Sequence, residues 1–208
     1  MQQPLDQEFV FQFLRSNLAA YAAAIFPDFR PGRHHKLLAS KLEDVAAGKV
    51  KRLCVTMAPR HGKSKLASQI FPAWYLGHHP TKRILSLSYG QDLADEFGRA
   101  VRNYVKAPTH SALFPDCKLA SDSNSIKRFS ITAGGGYATI GVGGATTGRG
   151  ADLLILDDLI KDREQADSPV YRENLIDWYK SVARTRLQPD GAIVLVQTRW
   201  GTTDFVQW

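Results

Sequence analysis

Four stretches of the chain, residues 52–57, 83–88, 153–156 and 192–197, are short, rich in Val, Ile and Leu, and apolar on nearly successive residues instead of on alternate ones. A strand with one wet face alternates, so near-continuous apolarity over this length marks strands covered on both faces. Helix-length segments lie between them. Residues 63–76 follow the first run. Residues 91–105 place Leu93, Phe97, Val101 and Val105 on one face at spacings of four, and residues 168–187 open with Ser168 as a cap and Pro169 in the first turn. Parallel neighbours need crossovers, and crossovers cover the sheet. The expected fold is therefore α/β, a mainly parallel sheet flanked by helices on both faces. Residues 126–131 and 137–142, on either side of Gly134-Gly135-Gly136, predict a β-hairpin, and residues 141–150 a Gly/Thr-rich loop.

Ahead of the first strand, Phe9, Val10, Phe13, Leu14, Leu18, Tyr21 and Ala22 recur at helical intervals and predict one amphipathic helix over residues 6–24. A second is expected over 34–47, after a break at 26–32 that holds two prolines and a glycine. The expected organisation is a helical segment over 1–50 packed on a core over 51–208.

The first strand leads into Pro59-Arg60-His61-Gly62-Lys63-Ser64, which then opens a helix. A phosphate loop needs this context. Backbone N–H groups of the turn and of the helix start face a phosphate, Lys63 brings a point charge to the β and γ oxygens, and the Ser64 hydroxyl can ligate Mg²⁺. The first glycine of the G-x-x-x-x-G-K-S pattern would fall at position 57, where Met57 stands. The third apolar run ends in Asp157-Asp158, carboxylates at the end of a strand where open α/β sheets bind ligands. Asp157 is the expected Mg²⁺ ligand and Asp158 the group that orients and deprotonates the attacking water, with Glu164 as a second candidate for that base. Alternatively, the two acids are a helix cap and a solvated loop residue. In Thr146-Thr147-Gly148-Arg149-Gly150-Ala151-Asp152, Arg149 between two glycines suits a finger set against a γ-phosphate; the alternatives are a surface loop arginine, or one paired with Asp152. Gln197-Thr198-Arg199, at the end of the last strand, brings polar groups to the same crevice, placed to sense the γ-phosphate.

Lys and Arg number 27 against 20 Asp and Glu, a formal charge of +7 that favours a polyanionic partner. Arg99, Arg102, Tyr104, Lys106, Lys127 and Arg128 are candidates for contacts with DNA backbone, or a solvated face. Cys54 and Cys117 are far apart and have no ligand spacing, so neither a disulfide framework nor a zinc site is expected. Residues 1–6 have no basic-then-apolar leader pattern and no run is long enough to span a bilayer, so neither secretion nor membrane insertion is expected.

The loop 58–64, Ser88-Tyr89-Gly90 with Leu93-Ala94 and Phe97-Gly98-Arg99, the turn Gly148-Arg149-Gly150-Ala151-Asp152, Asp157-Asp158 and Gln197-Thr198-Arg199-Trp200 together resemble large terminase subunits of tailed bacteriophages, over nearly the whole chain from His34 onward. The resemblance implies a P-loop NTPase of the additional-strand type that depends on ATP and Mg²⁺ and translocates double-stranded DNA. It also implies a homo-oligomeric ring on a portal protein, a small terminase subunit as partner, and action in the host cytoplasm. By the same resemblance Arg60 and Lys63 touch phosphates, Arg149 is the arginine finger, Gln197 and Thr198 form the coupling motif, and adenine contacts are to be sought around His34 and His35. Full-length members carry a nuclease domain after the ATPase. This chain ends at Trp208, so hydrolysis without DNA cleavage is expected. The alternatives are a helicase-like or other P-loop remodelling ATPase, and a non-catalytic DNA-binding or assembly module whose phosphate loop has decayed.

Overall fold

A computed structural model describes residues 6–144, 150–201 and 204–206 of the chain. It begins with α1 (Gln7–Ser16) and α2 (Leu18–Ile25), so the single helix expected over 6–24 is interrupted at Asn17. The cause is local: Asn17 is extended at φ −131°, and its side-chain oxygen accepts the Ala20 N–H at 2.8 Å, starting a new helix instead of continuing the old one. α3 (Arg33–Ala46) then precedes the first strand, β1 (Arg52–Thr56).

The helix after the loop is wound as a π-helix over Lys65–Ile70 before it becomes α4 (Phe71–His78). Pro72, in the first turn of α4, has no N–H to give to the preceding turn, and the Phe71 N–H reaches back to the Leu66 carbonyl. β2 (Arg83–Ser88), α5 (Gln91–Lys106) and α6 (Pro108–Leu113) follow, then β3 (Leu119–Asn124), β4 (Arg128–Ile131), β5 (Gly136–Gly141) and β6 (Ala151–Asp157). The chain continues through α7 (Arg163–Asp167) and α8 (Pro169–Trp178). A π-helical turn (Tyr179–Ala183) and a 3-10 turn (Arg184–Arg186) lead into β7 (Leu187–Gln197). The last helix therefore ends at an altered turn, and the last strand starts earlier than its apolar run.

The seven strands form one sheet in the order β1-β7-β6-β2-β5-β4-β3. β1, β7, β6, β2 and β5 are parallel, while β4 and β3 are antiparallel additions at one edge. The β4–β5 hairpin matches the expected one, whereas β3 was not expected because its sequence, LASDSN, is polar and shows no alternation. Helices cover both faces. Leu153, Ile155, Val194 and Val196 join α2, α3, α4 and α5 in one core, and Leu154, Leu156 and Ile193 join Ala166 and Leu175, from α7 and α8, in the other. Tyr21 and Leu42, from the N-terminal helices, are fully buried in the first core, so that segment shares its interior with the sheet.

Two consequences position the site. β7 lies between β1 and β6, and the register pairs Thr56 with Gln197, Val196 with Asp157, and Asp157 with Ser88. The C-terminal ends of four parallel strands are thus level, and the loops leaving them meet at one rim.

Candidate active site

The loop between β1 and the following helix contains two left-handed residues, Arg60 at φ +63° and Gly62 at φ +75°. Met57, at the position where a glycine was sought, is not left-handed; the turn takes its unusual backbone at Arg60 and Gly62 instead. A left-handed arginine costs on the order of 1 kcal/mol and persists only where neighbours hold it. Two such ties are present: the His61 Nδ1 lies 2.8 Å from the Pro59 carbonyl, and the His35 Nε2 lies 2.8 Å from the His61 carbonyl. Burial lowers the pKa of His35.

Lys63 follows, its side chain only 7% exposed, and its Nζ donates to Thr198 Oγ1 at 3.0 Å and lies 3.6 Å from Asp158 Oδ2. The Ser64 hydroxyl donates to Asp157 Oδ1 at 3.0 Å, and the Ser68 hydroxyl donates to Asp157 Oδ2. Ser64 and Asp157 are 93 positions apart in the chain. Asp157 is fully buried, and that burial pushes its carboxyl up to about 7; the charge of Asp158 adds to the effect, and the two serine hydroxyls and Lys63 oppose it.

Asp158 sits one step past β6 with φ +45°, an uncommon backbone for an aspartate. Three hydrogen bonds hold it: its N–H donates to the Val196 carbonyl at 2.9 Å, its carbonyl accepts the Tyr89 N–H at 3.1 Å, and its Oδ1 accepts the Thr198 N–H at 3.2 Å. This strained residue is therefore tied to the chain beyond β2 and to the end of β7 at once. Gln197 is fully buried, and neither its amide oxygen nor its nitrogen has a partner among the described residues. Such a group costs about 1–3 kcal/mol, which marks the end of β7 as a place where stability is not the only demand.

At this rim lies a crevice of about 520 Å³, a size suited to a small-molecule ligand. Pro59, Arg60, Gly62, Lys63, Ser64, Asp158 and Thr198 line it, with Asp157 behind Ser64. Lys65, Lys161 and Arg199 add positive charge to its wall, and Tyr89 and Trp200 add aromatic surface. Arg199 is engaged by the Asp204 carboxylate at 2.9 Å.

Not every predicted site residue reaches this crevice. His61, which is exposed, and Gln197, which is buried, do not line it, and neither does Glu164, exposed on α7. Arg149 lies outside the described residues. Asp152, offered as its partner, binds Lys82 at 2.9 Å and the Arg83 N–H at 2.8 Å at the far end of β6. Arg99, Arg102, Tyr104 and Lys106 lie on α5, and Lys127 and Arg128 at the hairpin, all away from the crevice lining. Sequence reasoning missed Ser68 and the tie from His35. The spacing of Ser68, four residues after Ser64 in the same helix, was the available signal; for His35 the sequence carried none.

Residues 54–204 match the family profile described as terminase large subunit, T4likevirus-type, N-terminal. Among solved structures the chain is similar to the large terminase of bacteriophage HK97, with a TM-score of 0.62 and 16% sequence identity over 93% of this chain. At that identity the likeness concerns the fold. The match covers 40% of the HK97 protein, so this chain spans about two fifths of that protein's length. No curated protein matches the chain.

Proposed function

The chain belongs to the terminase large-subunit family, and from that premise we propose that it is an ATP-hydrolysing P-loop motor domain of the additional-strand type that drives double-stranded DNA into a viral capsid. The observation that carries the reading is the direct bonding of Ser64 to Asp157 and of Lys63 to Thr198 beside Asp158, at the rim where the parallel strands end. β7, inserted between the loop strand β1 and the acidic strand β6, is the additional strand.

The donor set fits Mg²⁺. Ser64 and Asp157 offer hard oxygen ligands, and the described residues form no cluster of three His, Cys, Asp or Glu side chains, so the remaining ligands would be phosphate oxygens and water, as this ion prefers. Ser64 and Asp157 would hold the ion, which when bound neutralises charge on the phosphate oxygens. Burial raises the pKa of Asp157 while Lys63 and the two serine hydroxyls oppose that rise, so a bound cation would favour its ionised form.

The chain's own groups supply the rest. Gly62, Lys63 and the helix start receive the β- and γ-phosphates, and Arg60 adds a second cation. With a triphosphate in place Lys63 turns from Asp158 to the phosphates. Asp158 is then free to orient a water and accept its proton as the water oxygen bonds the γ-phosphorus and the bond to the β-γ bridging oxygen breaks. Thr198 touches Lys63 through its hydroxyl and Asp158 through its N–H, so loss of the γ-phosphate is felt at the end of β7. In this reading Gln197 and Thr198 couple hydrolysis to movement, Arg149 reaches the nucleotide of a neighbouring subunit in a ring, and the portal protein and small terminase subunit are partners in the host cytoplasm. Among the described residues no helix is long and apolar enough to cross a membrane.

The test is Lys63→Ala in a Mg²⁺-dependent ATPase assay. Turnover should fall to background. A rate equal to that of the unaltered chain would favour a binding or assembly module with a decayed loop.

A further inference from the structure

α3 is separate from the strand-loop-helix unit that builds a phosphate site, yet its first turn lies against the loop. The Gly32 N–H donates to His35 Nδ1 at 3.1 Å. Since Nδ1 accepts, Nε2 carries the proton of the neutral ring and donates to the His61 carbonyl at 2.8 Å. The ring is also wedged in place, with Phe29 edge-on at 4.8 Å between centroids and His34 at 3.9 Å.

The described residues contain no cis peptide, so the N–H of the 61–62 peptide points opposite to its carbonyl. With that carbonyl turned toward His35, the Gly62 N–H is directed away from that ring, and Gly62 itself lines the crevice. Gly62 can be neither flipped nor replaced cheaply. It is left-handed at φ +75°, and a Cβ there would run into the His35 imidazole.

We propose that His35 is a positioning residue of the nucleotide site: through the His61 carbonyl it fixes the peptide that presents the Gly62 N–H to a phosphate of bound ATP. This rests on the ATPase reading above and extends it to a helix outside the phosphate-loop unit. A residue that acts by pre-setting the loop governs how tightly the nucleotide is held and leaves the rate of the bound nucleotide unchanged.

The test is a titration of the chain with Mg²⁺-ATP, followed by steady-state turnover, on the unaltered chain and on Lys63→Ala, His35→Ala, His35→Asn and His35→Gln, with melting temperatures as a check on folding. His35→Asn keeps an acceptor for the Gly32 N–H but cannot reach the His61 carbonyl, whereas His35→Gln restores an N–H at about the place of Nε2. His35→Ala and His35→Asn should weaken ATP affinity and raise KM about tenfold with kcat within about twofold, and His35→Gln should recover most of the affinity. If His35→Ala does not fold, the Asn and Gln pair carries the comparison. The proposal is overturned if Gln falls as far as Asn, or if neither changes affinity while Lys63→Ala abolishes binding. If Lys63→Ala binds and turns over ATP like the unaltered chain, the ATPase reading itself fails and takes the proposal with it.

Discussion

Asp152 and Asp157 lie near opposite ends of β6, and the chain treats them differently. Asp152 is partly exposed, pairs with the Lys82 ammonium at 2.9 Å and accepts the Arg83 N–H at 2.8 Å, so its charge is matched where it sits. Asp157 is fully buried, accepts the Ser64 and Ser68 hydroxyls, and has its carboxyl pushed up to about 7. Asp158 beside it is held in a left-handed backbone, and the Gln197 amide nearby lacks partners among the described residues. One end of the strand is arranged for folding; at the other, unfavourable groups collect around a crevice. Strain and unmatched charge gathered at one rim are what a site leaves when it is organised around a ligand instead of around its own stability.

The contrast is broken most directly by neutralising each acid. Asp157→Asn should lower Mg²⁺-dependent ATP turnover on the order of 100-fold or more, while Asp152→Asn should leave it within about twofold. Equal losses would place the two acids in the same class.

The same substitution should show the cost of burying Asp157. Its folded pKa is near 7 against an ordinary 3.8. In the window between those values the folded chain keeps a proton that the unfolded chain has released, so stability falls as pH rises through it and the full cost is present above about 7. Asn cannot ionise. Without metal or nucleotide, Asp157→Asn should therefore raise the melting temperature relative to the unaltered chain more at about pH 8 than at about pH 5. A change independent of pH would mean that the carboxyl is not held protonated by burial.

Asp152→Ala is the smallest effect. A partly exposed ion pair and one backbone hydrogen bond are worth roughly 1 kcal/mol together, so the melting temperature should drop by about 2–4 °C, less at high salt.

How much of this could be read from residues alone follows from the same physics. β1, β2, β6 and β7 were legible because strands buried on both faces leave nearly continuous apolar runs, and the acids at 157 and 158 stood out because they end such a run. β3 was not, since a polar edge strand has no buried face to write a pattern. The helix break at Asn17 was hidden because the apolar period continues across it and only the side-chain cap interrupts it. At the site, Lys63 and Ser64 announced themselves by spacing, and Met57 argued against them on grounds that the left-handed turn at Arg60 and Gly62 does not share. His35 was sought as an adenine contact; its tie to the loop needs two segments to meet, which no local pattern encodes.

The most direct measurement of the central claim is an experimental structure of the chain with a non-hydrolysable ATP analogue and Mg²⁺. With the analogue bound, Lys63 should leave Asp158 for the β- and γ-phosphates, Ser64 and Asp157 should hold the ion, and the Gly62 N–H should bond a phosphate oxygen. A nucleotide bound elsewhere, with Lys63 still on Thr198 and Asp158, would contradict it.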